Sequence, residues 1–263
     1  SVITDVMSGD LHRLVAIPRE GDAPARVLLA LTAPPWSVDA AADGTIYVDQ
    51  CARTAEVLSF AASGGPPNTI ARTTGDLSNS MNPLQLPDGR ILLSSISSGR
   101  DSLIVARPGN DPNPFIETDE ETAGPVVQVG TEAVAFFIGT PPAAEIAIAT
   151  TDGRMLRRMG GVGGGRIQSL AASPDGATLF YADSGSIWSI PAAGGTPQRF
   201  HAGDGVAIDP GSGDLIVQLN EMGATRLLRV SPSGGNEREI ALGGGFKAAP
   251  QPIAGRVVGP DGR

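Results

Sequence analysis

The sequence contains very few of the residues from which covalent and metal chemistry is usually built. Its 263 residues include one cysteine, Cys51, and two histidines, His12 and His201. A single cysteine excludes an internal disulfide and a thiolate metal cluster. Cys51 as a nucleophile would need a base, and neither histidine is near it in sequence. The histidines also lack the partners and spacing of a zinc site, so we interpret both as structural.

Long apolar runs and basic clusters are missing as well. The longest apolar-looking stretch, AVAFFIGTPPAA, has only 12 residues and is interrupted by glycine and proline, so we expect no membrane insertion. With 28 acidic and 19 basic residues, the net charge of −9 argues against nucleic acid as a partner. The start, SVITDVMSGD, lacks the basic head and apolar run of a signal peptide, and we expect a processed or excised chain.

Glycine and proline, in contrast, are abundant, and they mark a repeat. A short β-like run followed by a tight glycine turn occurs six times, as RLVAIPREGD, EVLSFAASGG, SLIVARPGND, EIAIATTDGR, SIWSIPAAGG and RLLRVSPSGG. The turn glycines are Gly21, Gly64, Gly109, Gly153, Gly194 and Gly234, at spacings of 43, 45, 44, 41 and 40 residues. A constant period of this length is typical of propeller blades.

Alignment of the repeats on these glycines gives two apolar columns. The first contains Val15, Leu58, Leu103, Ala147, Trp188 and Leu228, and the second contains Ile17, Phe60, Val105, Ala149, Ile190 and Val230. Because the columns are two residues apart, they lie on one face of a strand. The pattern predicts one buried strand in each repeat.

A second turn precedes each of these strands. Most of these turns contain an Asp-Gly pair, as in AADGTIYV, LPDGRILLSS and SPDGATLFYA. Asp-Gly between apolar runs predicts a hairpin, because Gly tolerates positive φ and Asp bonds its own backbone. We therefore assign a turn role, and not a catalytic one, to Asp43, Asp88, Asp175 and Asp261.

The sequence thus predicts an all-β, six-bladed β-propeller of four-stranded antiparallel blades that forms a single domain over residues 1–263. A β-sandwich would account for strands and turns but not for the constant period. The final VVGPDGR, placed before the N-terminus, matches the repeat that contains LPDGRILLSS. We therefore expect a C-terminal strand to be the innermost of one blade and the N-terminus to supply its other three, which closes the ring.

The segment SLAASPDGATLFYADSGSIWSIPAAGGTPQRF, residues 169–200, resembles the repeats of the TolB-like, WD-repeat-like branch of bacterial propellers. Those repeats have a Ser-Pro-Asp-Gly turn followed by an apolar strand. The resemblance implies a bacterial binding propeller, either a periplasmic partner of lipoprotein complexes or a sensor domain attached to a Ser/Thr kinase. It favours an extracytoplasmic location.

Two other motifs suggest chemistry that the sequence does not support. GGVGGGR, residues 160–166, lacks the Gly-Lys-Ser/Thr ending of a phosphate loop and the βαβ unit of a dinucleotide site. We interpret it as a connection between blades. ETDEET offers Glu117, Asp119, Glu120 and Glu121 to Ca²⁺, but their spacing matches no known calcium loop. We expect a solvated acidic loop.

The starts of the innermost strands are predicted to line the central channel. They carry Ser37, Asn82, Pro125, Gln168, Asp204 and Arg256. One carboxylate with an arginine is a poor metal site, and we expect a polar binding funnel. The loops on the same face, where propellers usually bind, carry Trp36, Arg53, Asn82, Arg100, Glu120, Glu121, Arg166, Gln168, Asp183, Asp204, Asn220 and Glu221. We predict the ligand or partner at this face.

The functional hypothesis is a monomeric, non-catalytic binding or sensing propeller without cofactor or metal. Its partner is a protein or a small polar ligand at the channel mouth. The alternative is a lactonase-like hydrolase or lyase with a metal in the channel. The missing Glu, Asn and His cluster in the channel-lining positions favours the binding propeller.

Overall fold

The regular elements in the described part of the computed structural model are short β-strands. The structure describes residues 2–8, 11–18, 24–31, 35–41, 43, 45–50, 53–59, 66–75, 83–97, 100–107, 112–140, 142–162, 167, 169–242, 247–250 and 252–255. In this part of the chain, no helix has the length and apolar character needed to cross a membrane.

Four sheets contain four antiparallel strands each, and neighbouring strands in each sheet are consecutive in sequence. The first contains β8 (Leu84–Gln85), β9 (Ile91–Ser97), β10 (Arg100–Ala106) and β11 (Asn113–Pro114). The second contains β12 (Thr122–Val129), β13 (Ala133–Ile138), β14 (Glu145–Thr150) and β15 (Met155–Met159). The third contains β16 (Leu170–Ala172), β17 (Thr178–Asp183), β18 (Ser186–Pro191) and β19 (Gln198–Ala202). The fourth contains β20 (Gly205–Ile208), β21 (Leu215–Glu221), β22 (Ala224–Val230) and β23 (Arg238–Glu239). These sheets are the predicted four-stranded blades.

The chain divides into two compact units. The first is Ser1–Ser80 with Ser95–Ser102, and the second is Met81–Ser94 with Leu103–Arg263. In the first unit, β1 (Val2–Ser8), β2 (Leu11–Ile17) and β3 (Arg26–Leu31) form a three-stranded sheet. The remaining strands, β4 (Pro35–Ala40) with β5 (Ile46–Gln50) and β6 (Arg53–Ser59) with β7 (Asn68–Gly75), form two separate ladders.

The first unit agrees with the prediction in part. Its N-terminal sheet has the three strands expected there. Strands β4 to β7, expected to form one blade, pair as two ladders instead. The C-terminal strand that would complete the N-terminal blade falls in residues 256–263, outside the described residues. Six blades, the closed ring and a single domain therefore remain predictions.

The core lies between consecutive sheets of the second unit, and β13 shows how it forms. Phe136 and Ile138 contribute to the cluster shared with the preceding sheet, while Ala135 and Phe137 contribute to the cluster shared with the following sheet. Successive side chains of a strand point to opposite faces, so a strand between two sheets must be apolar on both. This explains why the middle strands are continuous apolar runs.

The predicted apolar columns are mostly buried where a neighbouring sheet covers them. In the second unit, Leu103, Ala147 and Leu228 are at most 1% exposed, and Trp188 is half-buried. In the first unit, Val15 is 5% exposed, whereas Ile17 and Leu58 are 40% and 44% exposed. The column pattern predicts the side of a strand that is apolar, but it does not decide which positions on that side are covered.

The Asp-Gly turns have the predicted geometry. Asp88 accepts a hydrogen bond from the backbone N–H of Arg90 at 3.1 Å, and Asp175 accepts one from Ala177 at 3.0 Å. The glycines that follow, Gly89 and Gly176, have φ of 82° and 70°. Asp43 bonds Thr45 in the same way at 2.9 Å, whereas Asp261 lies outside the described residues. These carboxylates are therefore occupied in shaping turns.

Candidate functional site

The ends of β17, β19 and β21 meet at one side of the third and fourth sheets. The N–H of Gly203, which follows β19, donates to the carbonyl of Gly185 in the β17–β18 turn at 3.0 Å. One residue later, a carboxylate oxygen of Asp204 accepts the N–H of Asn220 at 2.7 Å. The structure thus brings the loops of Asp183, Asp204 and Asn220, all predicted to bind, to one place.

A buried amide, Gln218, lies behind these loops on β21. Its side chain is fully buried, and its Oε1 accepts the backbone N–H of Ile253 at 3.0 Å. Its Nε2 lies 2.9 Å from Oδ1 of Asn220 and 3.3 Å from the carbonyl of Ala249. A buried amide is stable only when its polar atoms have partners, and the segment around Ala249 and Ile253 supplies two of them.

Asn220 is bound to the same segment. Its Nδ2 donates to the carbonyl of Pro250 at 3.1 Å, and its Oδ1 accepts from the hydroxyl of Thr225 at 3.1 Å as well as from Gln218. The amide predicted to bind a ligand is therefore satisfied by the chain itself.

The C-terminal part of that segment crosses from the third sheet to the fourth. The hydroxyl of Ser169, which is fully buried, is 2.6 Å from the carbonyl of Ile253 and accepts the N–H of Val206 at 2.7 Å. The N–H of Gly255 donates to the carbonyl of Leu170 at 2.8 Å. The carbonyl of Gly255 accepts the N–H of Ile208 at 3.0 Å. Residues near the starts of β16 and β20 are thus bonded to the chain that follows β23.

A surface groove of about 590 Å³ lies beside the β21–β22 turn. One side is formed by that turn and by β22, another by Glu239 and the residues after β23, and a third by Lys247, Ala248 and Pro250. The turn begins with Met222, which is fully exposed. The full lining is Asn220, Glu221, Gly223, Ala224, Thr225, Arg226, Leu227, Glu239, Ile240, Ala241, Leu242, Lys247, Ala248 and Pro250.

The groove has charged walls. Arg226 bridges two carboxylates, that of Glu239 at 3.0 Å and that of Glu221 at 3.1 Å. Its hydrogen bonds to Glu239 and then to Glu221 raise the pKa of the Arg226 guanidinium above its ordinary value. Lys247 makes no ion pair with any described residue, and it is the single lysine of the sequence. The groove therefore combines a cluster of two carboxylates and one guanidinium with one cation, Lys247, that can pair with a ligand.

Comparison with known proteins gives matches only among solved structures. No family model matches the chain, and no curated protein does. TolB from Acinetobacter baumannii is 16% identical, with a TM-score of 0.53 over 86% of this chain and 58% of that chain. A putative TolB from Agrobacterium tumefaciens is 15% identical, with a TM-score of 0.50 over 82% of this chain and 83% of that chain. The fold is that of a TolB-like β-propeller.

An enzyme structure also resembles this TolB-like propeller. A puromycin-hydrolyzing peptidase of Mycobacterium tuberculosis is 14% identical, with a TM-score of 0.51 over 96% of this chain and 48% of that chain. This chain thus spans less than two thirds of both the Acinetobacter TolB and the peptidase. At such low identity the similarity shows the fold alone, because one fold supports unrelated functions.

The remaining predicted residues lie in several places. Trp36 is in β4, Arg53 begins β6 and Arg100, which is half-buried, begins β10. Asp183 ends β17 and accepts the hydroxyl of Ser184 at 3.0 Å. Asn82, Arg166, Gln168 and Arg256 fall outside the described residues. Their part in a binding site remains a prediction.

The acidic loop considered for calcium is occupied in part by an ion pair. Glu120 is bonded to Arg158, and Arg158 lies 4.0 Å from Glu145. The bond to Arg158 lowers the pKa of the Glu120 carboxyl. Within the described ranges, no group of three or more His, Cys, Asp or Glu side chains is placed to hold a metal.

Two further ionisable side chains, Tyr181 and His201, lie in surroundings that indicate a structural role. Burial, with a smaller contribution from the Asp183 carboxylate, raises the pKa of Tyr181 to about 12. This phenol is therefore unsuited to act as a base near neutral pH. His201 on β19 lies 3.2 Å from Glu237 and so connects the third sheet to the segment before β23.

Sequence reasoning included Glu221 but missed Arg226, Glu239 and Lys247. Arg226 and Glu239 lie on strands, where the repeat suggested only blade structure, and strand pairing brings them together near the turn. Lys247 follows the sequence GGGF, residues 243–246, to which sequence reasoning assigned no role. Its one available signal was that the sequence has no other lysine.

Proposed function

We propose that this TolB-like propeller is a non-catalytic binding module and that it recognises an extended segment of a protein partner in the groove beside the β21–β22 turn. The observation that carries the proposal is the composition of the groove. Lys247 lines the groove and makes no ion pair with a described residue, and the fully exposed Met222 lies between the lining residues Glu221 and Gly223 in the chain. Most other polar groups nearby are engaged within the chain.

The shape of the groove favours a peptide. Small-molecule sites usually enclose most of the ligand surface, whereas this groove is open at the protein surface between a turn and two chain segments. An extended peptide needs only one face covered. Methionine is enriched at protein interfaces and adapts to different partners, so Met222 provides an apolar contact at the lip.

The engaged polar groups near the inner strands support binding over hydrolysis. Asp204, the one carboxylate among the predicted channel-lining residues, accepts the backbone N–H of Asn220. Ser169 and Gln218 bond to the chain around Ile253. A metal in the channel would need a carboxylate such as Asp204 as a ligand, whereas Asp204 and its buried neighbours are bonded within the chain.

The test uses two charge reversals of equal size. Lys247→Glu changes a groove residue, and Arg238→Glu changes an exposed residue of β23 outside the groove. Immobilised parent and variants are incubated with extract of the source cells, and retained proteins are identified. We expect a partner protein that the parent and Arg238→Glu retain equally and that Lys247→Glu does not retain.

The peptide nature is then tested directly. Overlapping synthetic peptides of the retained partner are titrated against the parent, and at least one should bind with an affinity that falls roughly tenfold in Lys247→Glu. Two results would contradict the proposal. One is equal loss of binding in both charge variants, and the other is binding that only the folded partner shows.

A further inference from the structure

The segment that forms the third side of the groove is held in an unusual way for a propeller. We call residues 247–250 and 252–255 the strap. None of the strap residues belongs to a strand. Pro250 and Pro252 have no N–H to donate, so the strap cannot form a regular ladder with a neighbouring strand.

The strap is instead fixed by individual hydrogen bonds spread along its length. Gln218 and Asn220 contact the carbonyls of Ala249 and Pro250, and Gln218 also accepts the N–H of Ile253. At the far end, Ser169 contacts the carbonyl of Ile253, and Gly255 is bonded to the backbone of β16 and β20. Three side chains therefore supply much of the attachment.

The end of the strap also buries less of its surface than the core of the blades does. Residues 252–255 are half-buried, whereas the strands below contain residues with no exposed surface. Segments that lie outside the sheets and bury little apolar area open at a lower free energy than the whole domain unfolds. The strap is a segment of this kind.

The two ends of the strap have different neighbours. Its first residues, Lys247, Ala248 and Pro250, line the groove, while Ile253 and Gly255 lie at the inner strands. Because Gln218 contacts both Ala249 and Ile253, release at one end removes support from the other. Gln218 therefore links the part of the strap at the inner strands to the part that lines the groove.

We propose that the strap is a latch that opens as one piece and gates the groove. When it is docked, Lys247 is held as a wall of the groove. When it is released, that wall and its cation are withdrawn. The gating role rests on the proposed binding site, whereas the opening of the strap does not.

The opening is tested on the full chain without any partner. Amide exchange followed by NMR reports on Ile253 and Gly255, the two strap amides bonded to Gln218 and to Leu170. Reductive methylation with ¹³C-formaldehyde adds a second probe, because Lys247 is the only lysine. Its dimethylamine signal is separate from that of the chain N-terminus.

The decisive variant is Ser169→Ala, which lies outside the groove lining. Loss of one hydrogen bond corresponds to an increase in exchange of roughly three- to tenfold. We expect this increase at both Ile253 and Gly255, together with a shift of the dimethyl-Lys247 signal. Ser189→Ala is the matched control and should change neither, because among the described residues the Ser189 hydroxyl bonds Gln198 within its own sheet.

Because Ser169 also bonds Val206, its removal acts on the sheets as well. Gln218→Met is therefore the second variant, since it keeps the side-chain volume and removes both strap contacts. Exchange at core amides such as Leu179 and Ile216 gives the global stability for each variant. The latch is excluded if Ile253 and Gly255 exchange only as slowly as these core amides in the parent. It is also excluded if both variants accelerate the two amides and leave the Lys247 signal unchanged.

Failure of the latch and failure of the binding proposal give different results. If a partner binds through Lys247 but the strap opens only when the whole domain unfolds, the binding proposal stands and the latch fails. If the strap opens at the expected rate but the protein retains no partner, the latch stands and the binding proposal fails.

Discussion

A carboxylate oxygen of Asp204 accepts the backbone N–H of Asn220 at 2.7 Å, which joins the start of the fourth sheet to the end of its second strand. Both residues look like ligand-binding groups in the sequence, because they are polar and occur where binding loops are expected. In the structure, the two residues are hydrogen-bonded to each other. We therefore expect their substitution to affect stability before it affects binding.

Asp204→Ala should lower the free energy of unfolding by roughly 1–2 kcal/mol, because it leaves the Asn220 N–H without its partner. Urea unfolding followed by circular dichroism gives the value. Asp183→Ala is the matched control, since Asp183 accepts only the hydroxyl of its neighbour Ser184 among its described contacts, and it should cost less than about 0.5 kcal/mol. Equal losses in the two variants would show that the Asp204 bond has no special role.

The Asp-Gly turns provide a second matched pair. A Cβ at Gly176 would lie 2.6 Å from the backbone N of Gly130 in the turn of the preceding sheet, whereas a Cβ at Gly89 would meet nothing within 4 Å. Both glycines have positive φ. Gly89→Ala should therefore cost only the conformational penalty of about 1–2 kcal/mol, and Gly176→Ala should cost clearly more. Thermal unfolding of both variants tests this order, and similar melting temperatures would contradict the close packing of the two turns.

Asp209 gives a prediction for pH. The N–H of Gly211 and, next among the favourable contacts, the guanidinium of Arg229 lower the pKa of this carboxyl from its ordinary value of 3.8. The pKa of Asp209 is lower in the folded state than in the unfolded state, so its ionised carboxylate stabilises the fold. This stabilisation is complete at pH values above the unfolded pKa and is lost as the pH falls through the folded pKa. The stability difference between the parent and Asp209→Asn should thus be constant near neutral pH and shrink below about pH 4. A difference that grows in acid would give the opposite sign and contradict the lowered pKa.

The aromatic side chains test the packing between sheets. Phe136 is fully buried between the first and second four-stranded sheets, so Phe136→Ala should destabilise the protein by roughly 3–5 kcal/mol. Trp188 belongs to the predicted column, but it only borders the next cluster and is half-buried. Trp188→Ala should accordingly cost less, about 2 kcal/mol. Denaturant unfolding of the two variants in parallel measures the order, and a larger loss for Trp188 would show that it is covered more fully than described.

Much of the fold follows from patterns that act within a few residues. The Asp88 and Asp175 turns are closed by hydrogen bonds over two residues, and the alternation along β13 needs only the geometry of an extended chain. Such features repeat wherever the pattern repeats, so the period near 44 residues led to the blades. The limit appears in the first unit, where the same pattern gives a buried Val15 but exposed Ile17 and Leu58, because burial depends on what packs against each position.

The candidate site depends on contacts that no local pattern contains. Ser169 and Ile253 are 84 residues apart in sequence, and Gln218 and Ile253 are 35 apart, yet both pairs are bonded. Lys247 reaches the groove only because Gln218 and Asn220 hold the chain that follows it. The sequence by itself determined strands, turns and their period, since these arise from backbone geometry and side-chain alternation between near neighbours. Only the tertiary structure decided which polar groups are left for a partner, because that depends on which distant segments satisfy the others.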